Sequence, residues 1–103
     1  MTYILSVVYE KGVTFDIDYY LTKHMPLVQK MWAPYGLKGW KVAQYTSPDA
    51  PYAFQAWLEW ESKEAADKAV SSSDGATVFA DVPKYSDKPA VSMGGEQVGS
   101  ASW

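Results

Sequence analysis

The chain contains a single histidine, His24, in the run Lys23-His24-Met25-Pro26. An imidazole with a reference pKa of about 6.5 gives and takes protons near neutral pH, so His24 is the side chain best suited to general acid–base work. Three roles stand open for it: an acid/base lining a cleft, a hydrogen-bonded core residue stabilising a bent helix, or a haem ligand. Tyr20 precedes it by one helical turn and shares its face if the segment is helical, which makes Tyr20 the candidate hydroxyl donor. Tyr19 then points about 100° away. Asp81, in Phe79-Ala80-Asp81-Val82-Pro83, is suited either to orienting an imidazole or polarising a water, or to capping a helix end. Five Trp, eight Tyr and three Phe exceed what a small core requires. They suit a Tyr/Trp-rich core with a dimer interface, and equally a pocket for a flat or hydrophobic molecule. Tyr9, Trp32, Phe54, Trp57 and Phe79 are the candidate pocket walls, and Ser6 a candidate hydrogen-bonding contact; each is also a residue that ordinary packing uses.

What the chain lacks narrows the chemistry. It has no cysteine, which removes disulfides, Cys-ligated zinc, iron–sulfur clusters and thiol nucleophiles. One histidine cannot supply a multi-histidine metal site, so no metal and no cofactor is expected. Nine Lys+Arg against twelve Asp+Glu, with no basic run, argue against a phosphate-tracking nucleic-acid binder. No stretch approaches the roughly 18 apolar residues of a membrane span, and no signal-peptide pattern opens the chain. A cytoplasmic protein with neither nucleic-acid nor membrane partners is expected. Nucleophile elbow, phosphate loop and dinucleotide fingerprint are all missing. The residues present support cofactor-free proton transfer: enolisation, cyclisation, dehydration, decarboxylation or lactone isomerisation.

The elements that must position these residues follow from periodicity. Residues 2–10 are β-branched and aromatic and read as a strand, with Tyr3, Leu5, Val7 and Tyr9 on one face and Ile4, Ser6 and Val8 on the other. From Asp16 the period becomes helical: Ile17, Leu21, His24, Val28, Met31 and Tyr35 form one stripe. Pro26 removes an N–H inside it, which predicts a break or kink at His24-Met25-Pro26 with Pro26 in a restarted first turn. Strands follow over 37–46 and 52–60, joined as an antiparallel hairpin. Ser62 caps a helix over 63–71, Ser71–Gly75 breaks it, a short helical turn runs through Val78, Phe79 and Asp81, and a last strand spans 88–98. The order β-α-β-β-α-β is the ferredoxin-like, α+β arrangement with an antiparallel sheet. One domain is expected over 1–98, with 99–103 a mobile tail. Two helices cover one sheet face; the other face is too apolar to be left in water, and a strand face such as Tyr52, Phe54, Ala56, Leu58 and Trp60 asks for more cover than two short helices give. A homodimer with two sheets face to face supplies it.

The runs Val8-Tyr9-Glu10-Lys11, Phe15-Asp16-Ile17-Asp18-Tyr19-Tyr20-Leu21 and Lys23-His24-Met25-Pro26-Leu27-Val28 resemble the EthD family, named for ethyl tert-butyl ether degradation. The likeness continues through Gly36-Leu37, Pro51-Tyr52 and Phe79-Ala80-Asp81-Val82-Pro83, to about Val98. It implies a dimeric α+β barrel. The family's founding member is an accessory to an ether-cleaving cytochrome P450 system. Similar fungal domains act as decarboxylases or dehydratases, and structural cousins include polyketide cyclases, lactone isomerases, cofactor-free monooxygenases and haem-degrading enzymes. The family's His-x-Pro position falls on His24 and Pro26. Because one fold carries so many reactions, function must be argued from the site. The expectation is a homodimer binding a hydrophobic or aromatic carbonyl compound and assisting proton transfer with His24. The rivals are a non-catalytic accessory of an oxidative degradation pathway and a haem binder.

Overall fold

A computed structural model describes residues 2–103. Four strands, β1 (Tyr3–Glu10), β2 (Leu37–Gln44), β3 (Tyr52–Trp60) and β4 (Val91–Glu96), form one antiparallel sheet in the order β2-β3-β1-β4. Between β1 and β2 runs a helical segment made of α1 (Ile17–Tyr19), a π-helical turn (Tyr20–His24), α2 (Met25–Trp32) and a 3-10 turn (Ala33–Tyr35). Between β3 and β4 come α3 (Lys63–Ser71), α4 (Ser73–Ala80) and a second 3-10 turn (Val82–Lys84). This is the expected ferredoxin-like α+β topology. Among the described residues no helix is long and apolar enough to cross a membrane.

Pro26 acts differently from a break. It sits in the first turn of α2, as expected, but the helix runs through it: the Met25 N–H reaches five residues back to the Tyr20 carbonyl. A turn widened in this way absorbs the donor that proline lacks. It also rotates the register, so the buried stripe becomes Tyr20, His24, Met25, Val28 and Trp32, while Leu21 is left 41% exposed. At the other helical layer the expected five-residue breaker is a single residue. Ser72 is extended, its N–H bonds the Ala69 carbonyl at 3.2 Å to close α3, and its hydroxyl accepts from the Gly75 N–H at 3.0 Å to open α4. The Ala69 and Val70 carbonyls leave Gly75 no room for a side chain, which fixes the tight angle between the two helices. Ser62 caps α3 as the sequence implies, accepting from the Ala65 N–H at 3.1 Å. The last strand starts later than expected because the Ser86 hydroxyl bonds both the N–H and the carbonyl of Lys88, closing a local turn, and Pro89 has no N–H to pair.

The helices cover the face of β3 that carries Phe54, Ala56, Leu58 and Trp60, and all four are buried in one chain. That corrects one of the two reasons for a second chain: this strand face has its cover. The face with less cover is the opposite one, where the register aligns Ser6 with Trp57 and Met93, Val8 with Gln55 and Val91, and Ile4 with Glu59 and Gly95; Val8 is buried there, and Ile4, Ser6 and Trp57 are partly exposed. There Val91 and Met93 are 51% and 53% exposed. Residues 97–103 carry no helix or strand, and Val98 and Trp103 stand fully in solvent.

Candidate active site

Strand β1 alternates, so Tyr3, Leu5, Val7 and Tyr9 all point toward the helices, and with Ala56 and Leu58 of β3 they floor a cavity of about 790 Å³. Val28, Trp32, Ala66, Val70 and Val78 wall it from the helical layer. Phe79, half exposed, stands at its edge with its ring against Trp32, centroids 6.0 Å apart. Such a volume lies within the range of small-molecule sites. The lining is apolar over most of its extent; Tyr9, Tyr20, His24 and Tyr85 line one part of it, and Asp67, Asp87 and Lys88 border it as well.

His24 is 5% exposed and is held at both ring nitrogens by side chains. Nδ1 lies 3.0 Å from Asp81 Oδ2, and Nε2 lies 3.2 Å from the Tyr85 hydroxyl. The Tyr20 ring stacks on the imidazole at 5.4 Å and 16°. Asp81 ends α4 and precedes the second 3-10 turn, yet its carboxylate caps neither helix. Its other oxygen accepts from the Tyr19 hydroxyl at 2.8 Å and faces the Lys84 ammonium at 3.4 Å. Tyr85 in turn meets the Tyr9 hydroxyl at 2.6 Å. A continuous line of polar groups therefore runs from the exposed Lys84, through Asp81, His24 and Tyr85, to Tyr9 at the cavity floor.

Electrostatics fix the proton positions along the imidazole. Burial alone would raise the Asp81 pKa, but hydrogen bonds from His24, Tyr19 and Lys84 outweigh it and hold the carboxyl below its usual range. An ionised carboxylate only accepts, so Nδ1 carries the proton of the neutral ring and Nε2 presents a lone pair to Tyr85. Burial lowers the His24 pKa, and the adjacent Asp81 opposes that shift without cancelling it. The ring is thus neutral at physiological pH and has a partner ready to stabilise an added proton. Burial also raises the pKa values of Tyr9, Tyr20 and Tyr85, so these phenols keep their protons at neutral pH.

The structure brings His24, Asp81 and Tyr20 together, and places Tyr9, Trp32 and Phe79 on the cavity wall. It separates the remaining candidates. Ser6 and Trp57 oppose one another on the open sheet face, because period-two alternation sends them away from Leu5, Val7 and Ala56. Phe54 faces the helices but lies behind Phe15, whose ring stacks on it at 4.3 Å and 18°, so it packs the core rather than lining the cavity. Tyr20 contributes its ring to His24, and the hydroxyl at Nε2 comes from Tyr85. Sequence reasoning missed Tyr85 and the bond of Tyr19 to Asp81. The signal available was Asp81-Val82-Pro83-Lys84-Tyr85, in which proline starts a tight turn that returns Tyr85 beside the residue Asp81 serves. Among the described residues no cluster of ligating side chains could hold a metal ion.

The fold matches known structures across nearly its whole length. An EthD-like protein from Ralstonia eutropha JMP134 superposes with TM-score 0.84 at 24% identity, over 98% of this chain and 96% of that one. An EthD family protein from Bacillus halodurans C-125 gives TM-score 0.75 at 24% identity, over 95% and 100%. A DABB family protein with a ferredoxin-like fold from Mesorhizobium loti gives TM-score 0.65 at 15% identity, over 95% and 98%. The chain shares the fold of the EthD proteins that its sequence resembles. No protein-family model and no curated protein matches it by sequence.

Proposed function

We propose that this chain binds a small apolar or aromatic carbonyl compound in the cavity and moves a proton to or from it through His24. One observation carries the reading. The only histidine borders an apolar cavity of about 790 Å³ while Asp81 orients its ring from behind and Tyr85 bonds it in front. A positioned base with an orienting carboxylate is the arrangement general acid–base catalysis needs, and an apolar surround strengthens each electrostatic contact. In this role Nε2 is the proton-accepting atom, Asp81 stabilises the imidazolium that forms, and Tyr19 and Lys84 keep Asp81 ionised. Trp32, Val28 and Leu58 exclude water. The haem-binding alternative loses support because both ring nitrogens are already engaged, leaving no free lone pair for iron.

We propose in addition that two copies associate through the open sheet face. Ile4, Trp57, Val91 and Met93 on that face are an apolar set that pairing with an identical sheet would cover.

Methyl β-naphthyl ketone in deuterated buffer tests the catalytic reading. Wild type is expected to accelerate exchange of the ketone's methyl protons, and His24→Gln to bind the ketone and remain folded without accelerating exchange. Binding without acceleration in wild type would favour the non-catalytic accessory role, and equal acceleration by His24→Gln would remove His24 from the chemistry.

A further inference from the structure

The proposed function leaves open which proton of the ligand the site handles, and the hydrogen-bond directions answer it. With His24 neutral and Nδ1 donating to Asp81, the lone pair on Nε2 requires Tyr85 to donate. The Tyr85 oxygen must then accept, so at 2.6 Å the Tyr9 hydroxyl donates to it. Every donor in the line points toward Asp81, and the Tyr9 oxygen, which also has the Tyr20 hydroxyl as a hydrogen-bond partner, keeps a second lone pair for a ligand in the cavity it lines. A protonated imidazole reverses the set. Nε2 then donates to Tyr85, Tyr85 donates to Tyr9, and the Tyr9 hydrogen is free to point into the cavity. Turning Tyr9 alone, without moving the proton on His24, would set two oxygens lone pair to lone pair and forfeit a buried hydrogen bond.

We infer that Tyr9 and Tyr85 form a reversible relay that couples His24 to an oxygen-bound proton of the ligand, and that the ligand class is an apolar molecule with an acidic hydroxyl, a phenol or the enol of a carbonyl compound. This rests on the small-molecule reading above and narrows it. In the forward step the ligand O–H bond breaks and its proton joins the Tyr9 oxygen. The proton of Tyr9 passes to Tyr85, that of Tyr85 forms the N–H bond at Nε2, and the products are a phenolate or enolate and an imidazolium paired with Asp81. No oxidant or second reactant is required. The reverse step returns the proton from the imidazolium to the phenolate or enolate oxygen, so the line of groups serves the oxygen half of a keto–enol exchange.

The charged and titratable groups around the relay are consistent with control by His24. Asp81 and Lys84 face it from the end of α4 and the turn after it, Tyr19 and Tyr20 from the helical segment, and Tyr9 from β1. Asp67, Asp87 and Lys88 border the cavity from α3 and the segment before β4, and substitutions at Tyr9 or Tyr85 leave them in place.

The test compares two probes of like shape: β-naphthol, which can donate, and methyl β-naphthyl ketone, which can only accept. Their dissociation constants are measured above and below the titration of His24, with folding checked by circular dichroism. In wild type the preference for the naphthol over the ketone should fall by on the order of tenfold as His24 becomes protonated, the size expected when one buried hydrogen bond changes sign. In Tyr9→Phe, and independently in Tyr85→Phe, the preference should no longer depend on pH. A wild-type preference that stays constant with pH, or a shift that survives in both variants, overturns the relay while leaving small-molecule binding intact. Failure of both probes to bind wild type overturns the small-molecule reading and the relay with it.

Discussion

The Tyr85 hydroxyl stands 3.2 Å from His24 Nε2 although the two residues are 61 positions apart in the chain. The tyrosine also lays its ring against the imidazole, centroids 4.5 Å apart, so it both bonds and packs the histidine. Tyr85→Phe keeps the packing and removes the hydroxyl, leaving His24 Nε2 and the Tyr9 hydroxyl without their partner in a buried setting. Unfolding in urea should show a loss of about 1–3 kcal/mol. A loss near zero would mean that water replaces the hydroxyl at no cost.

Acid should destabilise the protein, and His24 contributes to that with a definite sign. Its folded pKa lies below the 6.5 of the free side chain, so on acidification the unfolded chain takes up the proton first. Stability from this group is complete above 6.5 and falls as the pH drops from there toward the lowered folded value. Asp81, also lowered in the fold, adds a second loss as the pH falls through and below its ordinary value of 3.8. Melting temperature recorded against pH should decline across both windows, and the upper decline should vanish in His24→Gln. A melting temperature that rises on acidification through the histidine window would contradict this.

Much of the fold could be read from the sequence because alternation and capping are local. The limits of β3 and the Ser62 cap follow directly from residue types, and β1 follows within one residue. What escaped was decided over longer range. Leu21 belongs to the apolar stripe of an ideal helix, but the π-helical turn, made necessary by Pro26, hands its place to Tyr20. Both faces of β1 look apolar in sequence, so which one met the helices could not be read from it; that choice separated Tyr9 from Ser6 and Phe54 from Trp57. His24 and Asp81 were visible by chemistry, whereas Tyr85 became relevant only once the 3-10 turn after α4 had folded it back.

Gly36 joins the helical segment to β2 with φ of 121°, a region that side chains disfavour, and an added Cβ would meet that of Ala65 at 3.0 Å. Gly36→Ala should cost about 1–3 kcal/mol in chemical denaturation. An unchanged midpoint would show that the turn relaxes freely.

The open sheet face gives a direct test of association. Sedimentation equilibrium at micromolar concentration should return twice 11.5 kDa for wild type. Trp57→Glu, which places a charge in the centre of that face, should return a single chain with its circular dichroism intact. A wild-type monomer, or a dimer indifferent to the charge, would locate no interface on this surface.

Because the chain has one histidine, a nitrogen-15 NMR titration reads its protonation and tautomer without ambiguity of assignment. His24 is a neutral base at neutral pH, protonated on Nδ1 by virtue of Asp81, with Nε2 kept as the acceptor that faces Tyr85. The spectrum should show the Nδ1–H tautomer, an apparent pKa below 6.5, and a change at Nε2 when β-naphthol is added. An Nε2–H tautomer, or an imidazole still protonated well above 6.5 and unmoved by the probe, would contradict it.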